Sequence, residues 1–272
     1  MGKFEDYGAV TTLSDSDTIL VGGTAGTRRI TAKNAGLDLS GKASALQHGN
    51  IFGGRNLGSD ITKYKAAIQN GTFEGLYIGD YFTNIAGYTL KLAHFNYFIH
   101  CGDADFNRNH AVFIVEGCGN SVMNDTNTTE GGCVGSKMYK ETLPAIQAKL
   151  ESALGSMLLS HRDYLINAMS NGKPSGGAWF DTKIGLMNEI MVTGCRHFAV
   201  ANDGTTIPAL YTTKNSQLAL FRLNPGEIKN RQTYWLEDPV SAAGFAGVSN
   251  GGYADYGDAS CSYAVRPFIV IG

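Results

Sequence analysis

The residues that could bind a metal ion are densest between positions 94 and 110. The candidate ligands there are His94, His100, Cys101, Asp103, Asp105 and His110. His100 follows His94 by six positions, an even offset, so a strand would present both on one side. Asp103 and Asp105 supply oxygen ligands, and the cation that suits them best is Ca²⁺. Residues 107–109 (Asn-Arg-Asn) are typical of a solvated loop tip and favour a structural or surface role, so we predict neither a metal ion nor a cofactor.

Two other segments place a possible nucleophile beside a histidine. Residues 160–163 read Ser-His-Arg-Asp, but the G-x-S-x-G signature of a nucleophilic serine is absent. Ser160 is better explained as the N-cap of a helix that we predict from Arg162 to Met169. Cys195 and His197 would point the same way on a strand, yet the sequence offers no third group to orient the histidine. These patterns predict that the chain is not an enzyme.

The composition excludes several classes of partner. The formal net charge of -2 leaves no basic field for nucleic acid. The N-terminus is not a signal peptide and no run of about 18 apolar residues occurs, so we expect neither classical secretion nor membrane insertion. The five cysteines form no CxxC pair, which argues against a zinc finger and a disulfide framework. We expect reduced and mostly buried thiols.

The glycine and aromatic content predicts short strands joined by tight turns. The chain has 35 Gly, 13 Tyr and 13 Phe, and hydrophobic residues make up 43% of it, which is enough for a core. Strand-like runs are predicted at residues 77–82, 88–93, 111–115 and 156–160. Helices are predicted at residues 60–71, 139–150, 162–169 and 182–192. Because these elements do not alternate as βαβ units, we predict an α+β fold.

The first 45 residues differ from the rest. Residues 11–21 predict a short helix or turn and then a strand, and residues 28–32 predict a second strand. The glycines between them, at 22–27, lack the Lys-Ser/Thr ending of a phosphate-binding loop and predict a hairpin turn. Residues 36–45 have the composition of a linker. An isolated hairpin is marginally stable, so we predict that residues 1–45 are an attachment or oligomerisation module and residues 46–272 the main domain.

The segment from Ser241 to Tyr263 has the composition of a binding loop. It contains no Lys or Arg and is rich in Tyr, Ser, Gly, Asn and Asp, which provide rigid aromatic contacts and adaptable polar ones. The alternative is a glycine-rich turn region whose tyrosines pack on the core. Composition alone favours neither.

This segment lies within a pattern that resembles the end of phage and prophage C-type-lectin-like domains. The pattern consists of Tyr234-Trp235-Leu236-x-Asp238, Ser241-Ala242-x-x-Phe245-Ala246 and Ser262-Tyr263-Ala264-Val265-Arg266-Pro267. Weaker matching segments lie at residues 48–58, 78–81, 135–139, 161–165 and 220–225, so the resemblance covers about residues 48–272. Glu237 stands where many relatives have Arg, and Ala264 stands where Gly is common.

The resemblance implies a C-type-lectin-like domain with a small twisted antiparallel sheet, preceded by the short β-hairpin module. It implies a protein of the virion, in a tail fibre, head fibre or decoration, with Trp235 and Arg266 as framework residues. Some relatives are diversified by retroelements, which vary exposed residues before the final Arg-Pro. Mapped on this chain, these are Ala243, Gly244, Phe245, Gly247, Ser249, Asn250, Tyr253, Asp255, Tyr256, Asp258 and Ser260.

We therefore expect a homotrimeric virion protein that binds a glycan or protein receptor on the host surface and contacts other virion proteins through residues 1–45. The predicted ligand-binding residues are Phe245, Ser249, Asn250, Tyr253, Asp255, Tyr256 and Asp258. Two alternatives stay open. One is a purely structural virion protein with no specific ligand. The other is an enzyme on the same fold, assisted by a metal ion at His100, Asp103 and His110.

Overall fold

A computed structural model describes residues 18–23, 26–31, 48–199 and 214–272 of the chain. Contacts between residues divide the chain into two units, residues 1–44 and 45–272. In the first unit, β1 (Thr18–Gly23) pairs antiparallel with β2 (Gly26–Thr31), which confirms the predicted hairpin. The predicted helix or turn before Thr18 and the predicted linker at residues 36–45 lie outside the described residues.

The second unit contains two five-stranded sheets. In the first sheet the spatial order is β3-β4-β5-β14-β9, and every neighbouring pair is antiparallel. Its strands are β3 (Tyr81–Ile85), β4 (Tyr88–Phe95), β5 (Ala111–Glu116), β9 (Ile184–Leu186) and β14 (Pro267–Ile271). All five residues of β14 are buried, as are the first five of β5, so these two neighbouring strands form the centre of the core.

The second sheet carries the segment with the composition of a binding loop. Its order is β12-β11-β10-β13-β6, in which only β10 and β13 run parallel. Its strands are β6 (Asn120–Ser121), β10 (Tyr234–Pro239), β11 (Gly244–Val248), β12 (Ala254–Asp258) and β13 (Tyr263–Ala264). As predicted, β10 ends at Pro239, since proline donates no ladder hydrogen bond. β12 lies at the edge of the sheet.

Arg266 lies where the chain passes from the second sheet to the first. Only Val265 and Arg266 separate β13 from β14, and the Arg266 side chain is buried. Its Nη2 donates to Glu116 Oε1 at 2.8 Å and its Nη1 donates to the Glu227 carbonyl oxygen at 2.9 Å. The guanidinium also stacks over the ring of Tyr234, 5.2 Å from the centroid. The side chain therefore joins the end of β5 to the start of β10.

The helices are short, apart from one that packs an apolar face on the core. α3 (Leu143–Leu154) follows a π-helical turn at Met138–Thr142 and buries Leu143, Ile146, Leu150 and Leu154, as its predicted periodicity requires. The other helices are α1 (Lys65–Gln69), α2 (Gly132–Gly135), α4 (Glu189–Thr193) and α5 (Ala219–Leu223). A 3₁₀ turn, Ile61–Tyr64, precedes α1, and its N-cap Asp60 accepts from the Thr62 N–H, so the helical region predicted at residues 60–71 is confirmed. None of the described helices is long and apolar enough to cross a membrane.

The helix predicted from Arg162 to Met169 is wrong. The segment is β7 (His161–Ser170), which pairs antiparallel with β8 (Lys173–Thr182) in a separate two-stranded sheet. Burial alternates from His161 to Leu165, which is the period of a strand. The turn is Asn171-Gly172, with φ of 50° and 74°. Asn-Gly between apolar runs is a strong hairpin signal that the helical interpretation overlooked.

Two further assignments also fail. The helix predicted at residues 182–192 is confined to α4, because Ile184–Leu186 is β9 and pairs with β14. The strand predicted at residues 156–160 is not formed, since Gly155–Met157 is a 3₁₀ turn. The coarse prediction is confirmed, because the described chain mixes helices with antiparallel sheets in the manner of an α+β fold.

The second sheet allows a test of buried against exposed aromatic residues on neighbouring strands. Phe245 on β11 is fully buried, whereas Tyr256 on β12 is 55% exposed. We expect Phe245→Ala to lower the free energy of unfolding by about 3–5 kcal/mol, because it leaves a cavity in the core. Tyr256→Ala should lower it by less than about 1 kcal/mol. Urea unfolding of both variants measures the difference, and equal losses would contradict the burial of Phe245.

Candidate functional site

The turn between β11 and β12 is held by its own hydrogen bonds. The Ser249 N–H donates to the Tyr253 carbonyl oxygen at 2.9 Å, and the Gly252 N–H donates to the Ser249 carbonyl oxygen at 2.9 Å. The Tyr253 N–H donates to Ser249 Oγ at 3.1 Å. Gly252 has a φ of 88°, a conformation that glycine adopts without strain. The turn therefore has a defined backbone before any ligand binds.

Aromatic side chains are exposed along this turn and strand. Tyr253 is 77% exposed and Tyr256 is 55% exposed. The Tyr256 ring lies 5.0 Å, centroid to centroid, from Phe198, which is 40% exposed and comes from the segment after α4. We use the name β12 surface for the exposed or partly exposed side chains of Phe198, Ser249, Asn250, Tyr253, Asp255, Tyr256 and Asp258.

Six of the seven predicted ligand-binding residues have exposed or partly exposed side chains on the turn and on β12, and one is buried. Asn250, Tyr253, Tyr256 and Asp258 are exposed, and Ser249 and Asp255 are partly exposed. Phe245 is fully buried, so its prediction as an exposed contact is wrong. Gly244 and Gly247, which the resemblance also mapped as exposed, are buried as well. The reason is that β11 lies between β10 and β12, where the core covers it.

A buried carboxylate, that of Glu189, holds the backbone of the segment that carries Phe198. Glu189, in the first turn of α4, accepts backbone N–H groups from three successive residues, at 2.9 Å from His197, 3.0 Å from Phe198 and 2.9 Å from Ala199. Glu189 is buried, and its own N–H donates to Asp238 Oδ2 at 2.8 Å. The segment carrying Phe198 is therefore fixed from within the core. The sequence gives no local signal for this contact.

Asn127 fixes the far end of β12. Its Nδ2 donates to Asp258 Oδ2 at 3.1 Å, and its Oδ1 accepts from Ser260 Oγ at 2.6 Å. Among the described residues, the Asp258 carboxylate has Asn127 as its one hydrogen-bond partner, and it keeps acceptor positions open to solvent.

Trp235 and Tyr263 support the sheet from its buried side. The two rings lie 4.4 Å apart, and Trp235 Nε1 donates to the Ser121 carbonyl oxygen at 2.9 Å. The Tyr263 ring lies so close to Gly257 that a Cβ at this position would be 2.6 Å from the ring. Gly257 is therefore required between the exposed residues Tyr256 and Asp258 of the same strand.

The predicted metal ligands between positions 94 and 110 have other partners. His100 pairs with Asp105 at 2.9 Å, and Asp103 receives a bidentate contact from Arg162. His94 Nδ1 accepts the Ala219 N–H at 3.0 Å.

His110 is also engaged, since its Nε2 accepts the Phe98 N–H at 3.0 Å. Burial lowers the pKa of both His94 and His110 to about 4. In the part of the chain that the structure describes, no three His, Cys, Asp or Glu residues are grouped to hold a metal ion.

The side chains of Cys195 and His197 are in contact with each other. Sγ of Cys195 is 3.3 Å from Nε2 of His197, and Cys195 is exposed rather than buried as expected of most thiols. Glu189 binds the backbone N–H of His197 and not its imidazole ring. Within the residues that the structure describes, the pair therefore has the contact of a nucleophile and a base but no third group that orients the imidazole ring.

Residues 161–163 form no catalytic set with Ser160. The His161 ring is buried 4.2 Å from the Phe98 ring, and neither ring nitrogen has a hydrogen-bond partner in the described part of the chain. Asp163 instead pairs with Lys214, whose Nζ lies 2.7 Å from Asp163 Oδ2 and 2.5 Å from Oε1 of Glu237. Burial raises the pKa of Glu237 to about 8. This buried group of one ammonium and two carboxyls was not foreseen, because its members are far apart in sequence.

No protein-family model, curated protein or solved structure matches this chain. The β12 surface offers two aromatic rings on neighbouring segments, a third exposed ring at the turn, and exposed or partly exposed carboxylate, amide and hydroxyl groups on the same turn and strand. These groups can stack on a ligand and hydrogen-bond to it. They provide no nucleophile paired with a base.

The burial of His161 predicts a pH-dependent stability. Burial, followed by the positive charge of Lys214, lowers the pKa of His161 from 6.5 to about 3, so only the unfolded chain protonates it as the pH falls below 6.5. This histidine therefore contributes a loss of stability below pH 6.5 that His161→Phe should remove. The free energy of unfolding of the variant minus that of the wild type should therefore rise by about 2 kcal/mol when the pH is lowered from 7.5 to 5. Urea unfolding at the two pH values measures this difference.

The control for this prediction is Thr182→Val. Thr182 lies opposite His161 in the β7–β8 pair and has a buried hydroxyl without a partner in the described chain, but it does not titrate. Its stability relative to the wild type should not change with pH. If the stability of His161→Phe relative to the wild type also stayed the same at both pH values, His161 would not be a neutral buried histidine.

Proposed function

We propose that this chain is a virion-associated receptor-binding protein of a tailed phage and that the β12 surface contacts a receptor on the host cell. The observation that carries the proposal is the exposure of Tyr253 and Tyr256 on a turn and strand with a fixed backbone. Large exposed aromatic side chains are unfavourable in water unless a partner covers them, and clusters of them mark interaction sites. Tyrosines among small polar residues are the usual composition of such sites.

The charge of the surface narrows the class of receptor. No Lys or Arg occurs between Arg231 and Arg266, whereas Asp255 and Asp258 contribute carboxylate acceptors on β12. A ligand rich in hydrogen-bond donors and in C–H groups that can stack on aromatic rings is therefore favoured. A surface glycan meets both conditions, and a protein receptor with exposed amides or ammonium groups is the second possibility.

The C-type-lectin-like identity of residues 46–272 is part of this proposal. Its support is the resemblance of the segment from Tyr234 to Pro267, together with the burial of Trp235 and Arg266 expected of framework residues. Diversification by a retroelement is compatible with the exposure of Asn250, Tyr253, Tyr256, Asp258 and Ser260. A purely structural virion protein is the alternative, and the exposed rings are the observation that disfavours it.

Receptor binding predicts a loss of adsorption when the rings are removed. We expect Tyr253→Ala combined with Tyr256→Ala to reduce binding of the purified protein to host cells at least tenfold, because both side chains would be buried by the receptor. Flow cytometry with labelled protein measures the loss. Ile51→Ser, which removes another exposed apolar side chain outside the second sheet, is the matched control and should bind as the wild type does. Unchanged binding by the double variant would overturn the proposal.

The assembly proposal concerns residues 1–45. We propose that this module makes the chain a homotrimer and attaches it to other virion proteins, because a two-stranded hairpin has too little apolar surface to be stable alone. Light scattering after size exclusion should give a trimer for the full chain and a monomer for residues 46–272. A trimer that persists without residues 1–45 would move the assembly contacts into the main domain.

A further inference from the structure

Lys214, Asp163 and Glu237 meet in the interior from three separate parts of the second unit. Asp163 lies in β7, Glu237 lies in β10, and Lys214 lies five residues before α5. All three residues are buried. Nζ of Lys214 lies 2.7 Å from Oδ2 of Asp163, and 2.5 and 2.6 Å from Oε1 and Oε2 of Glu237. One amine is thus in contact with two carboxyl groups and shielded from water.

This arrangement contains the groups that amide formation needs. The reaction requires an amine nucleophile within contact distance of a carboxyl carbon, and the contact of Nζ with Oδ2 places the amine beside the Asp163 carboxyl group. It also requires a group that carries protons between the amine and the departing oxygen. Glu237 is suited to this task because its two oxygens both contact Nζ.

We propose that Lys214 and Asp163 form an intramolecular isopeptide bond, with Glu237 as the catalytic proton carrier. A proton moves from the Lys214 ammonium to the Asp163 carboxylate, which leaves a neutral amine and a neutral carboxylic acid. Nζ then attacks Cγ of Asp163, and a tetrahedral intermediate forms. Glu237, in its protonated form, gives its proton to the departing hydroxyl and takes the second proton from Nζ, so that one water leaves, an amide remains and Glu237 returns to its starting state. No oxidant, cofactor or other reactant is required.

The interior favours the product over the ion pair. Burial of an ammonium and two carboxylates is unfavourable unless their mutual attraction compensates for the lost hydration. An amide carries no charge, so the reaction removes one buried charge of each sign. Burial also raises the pKa of Glu237 above its usual range, which favours the protonated form that donates to the departing hydroxyl.

The mass of the denatured full-length chain tests the proposal directly. The wild type should be lighter than its sequence by one water, about 18 Da, because amide formation releases water. Lys214→Arg and Glu237→Gln should both have the full mass, the first because it lacks the amine and the second because it lacks the proton carrier. A wild type with its full sequence mass, after allowance for removal of Met1, would reduce the group to an ion pair and overturn the proposal.

A matched control variant shows whether the loss of another lysine that pairs with a carboxylate also restores the full mass. Lys183 pairs with Glu151 at 2.7 Å, but both side chains are well exposed. Lys183→Arg should keep the deficit of one water, since the reacting groups are untouched. Loss of the deficit in this variant would contradict the assignment to Lys214.

Peptide mapping locates the bond without relying on any variant that fails to fold. Trypsin cannot cleave after a lysine whose amine is acylated, so the wild type should give a branched peptide in which residues 163–183 are joined to residues 197–222. Cleavage after Lys214, with residues 163–183 recovered as a free peptide, would overturn the proposal. A water lost elsewhere, as in an internal succinimide, would give the mass deficit without the branched peptide and would also overturn it.

Discussion

A buried cation, Arg266, contacts both sheets. Arg266 follows β13 directly and precedes β14, so its position decides how the last strand of one sheet continues into the centre of the other. Its guanidinium binds the carboxylate that ends β5 and stacks on the ring that begins β10. A planar group that hydrogen-bonds at its edge and stacks on its face can satisfy both contacts at once, which lysine cannot do. The placement of β10, and with it that of β11 and β12, depends on this side chain.

Other buried charges hold the loops in the same way. The Glu189 carboxylate binds three backbone N–H groups and so orders the segment that carries Phe198. Lys214 connects β7 with β10 through Asp163 and Glu237. Removal of one partner from such a group leaves an unpaired charge inside the protein, which is far less favourable than loss of an exposed ion pair. The segments that carry Phe198 and Lys214 are therefore fixed by polar contacts from the interior.

The sequence predicted features that depend on neighbours along the chain. The spacing of apolar residues was sufficient to predict α3, and glycine and proline residues were sufficient to predict the hairpin of β1 and β2 and the end of β10 at Pro239. Composition, rather than period, singled out the segment with Tyr253 and Tyr256, and both of these side chains are exposed. The fold of β7 was missed because the three- and four-residue spacing of its apolar residues imitates a helix, although Asn171-Gly172 marks a hairpin.

Features that depend on distant residues could not be predicted. Phe245 has the same local composition as the exposed aromatic residues, and only its place on an inner strand buries it. Phe198 joins the β12 surface through contacts with Glu189 and Tyr256 that no local pattern encodes. The same holds for Lys214, Asp163 and Glu237, whose meeting depends on how three elements pack.

The hydrogen-bonded turn from Ser249 to Tyr253 has a consequence for the thermodynamics of association. A loop that is ordered only in a complex loses conformational entropy on binding, and this loss subtracts from the affinity. Here the backbone of the turn is already ordered by three hydrogen bonds, so little of that loss remains. Affinities of altered side chains at this turn would then differ mainly in dissociation rates, because the encounter geometry stays the same from one variant to the next.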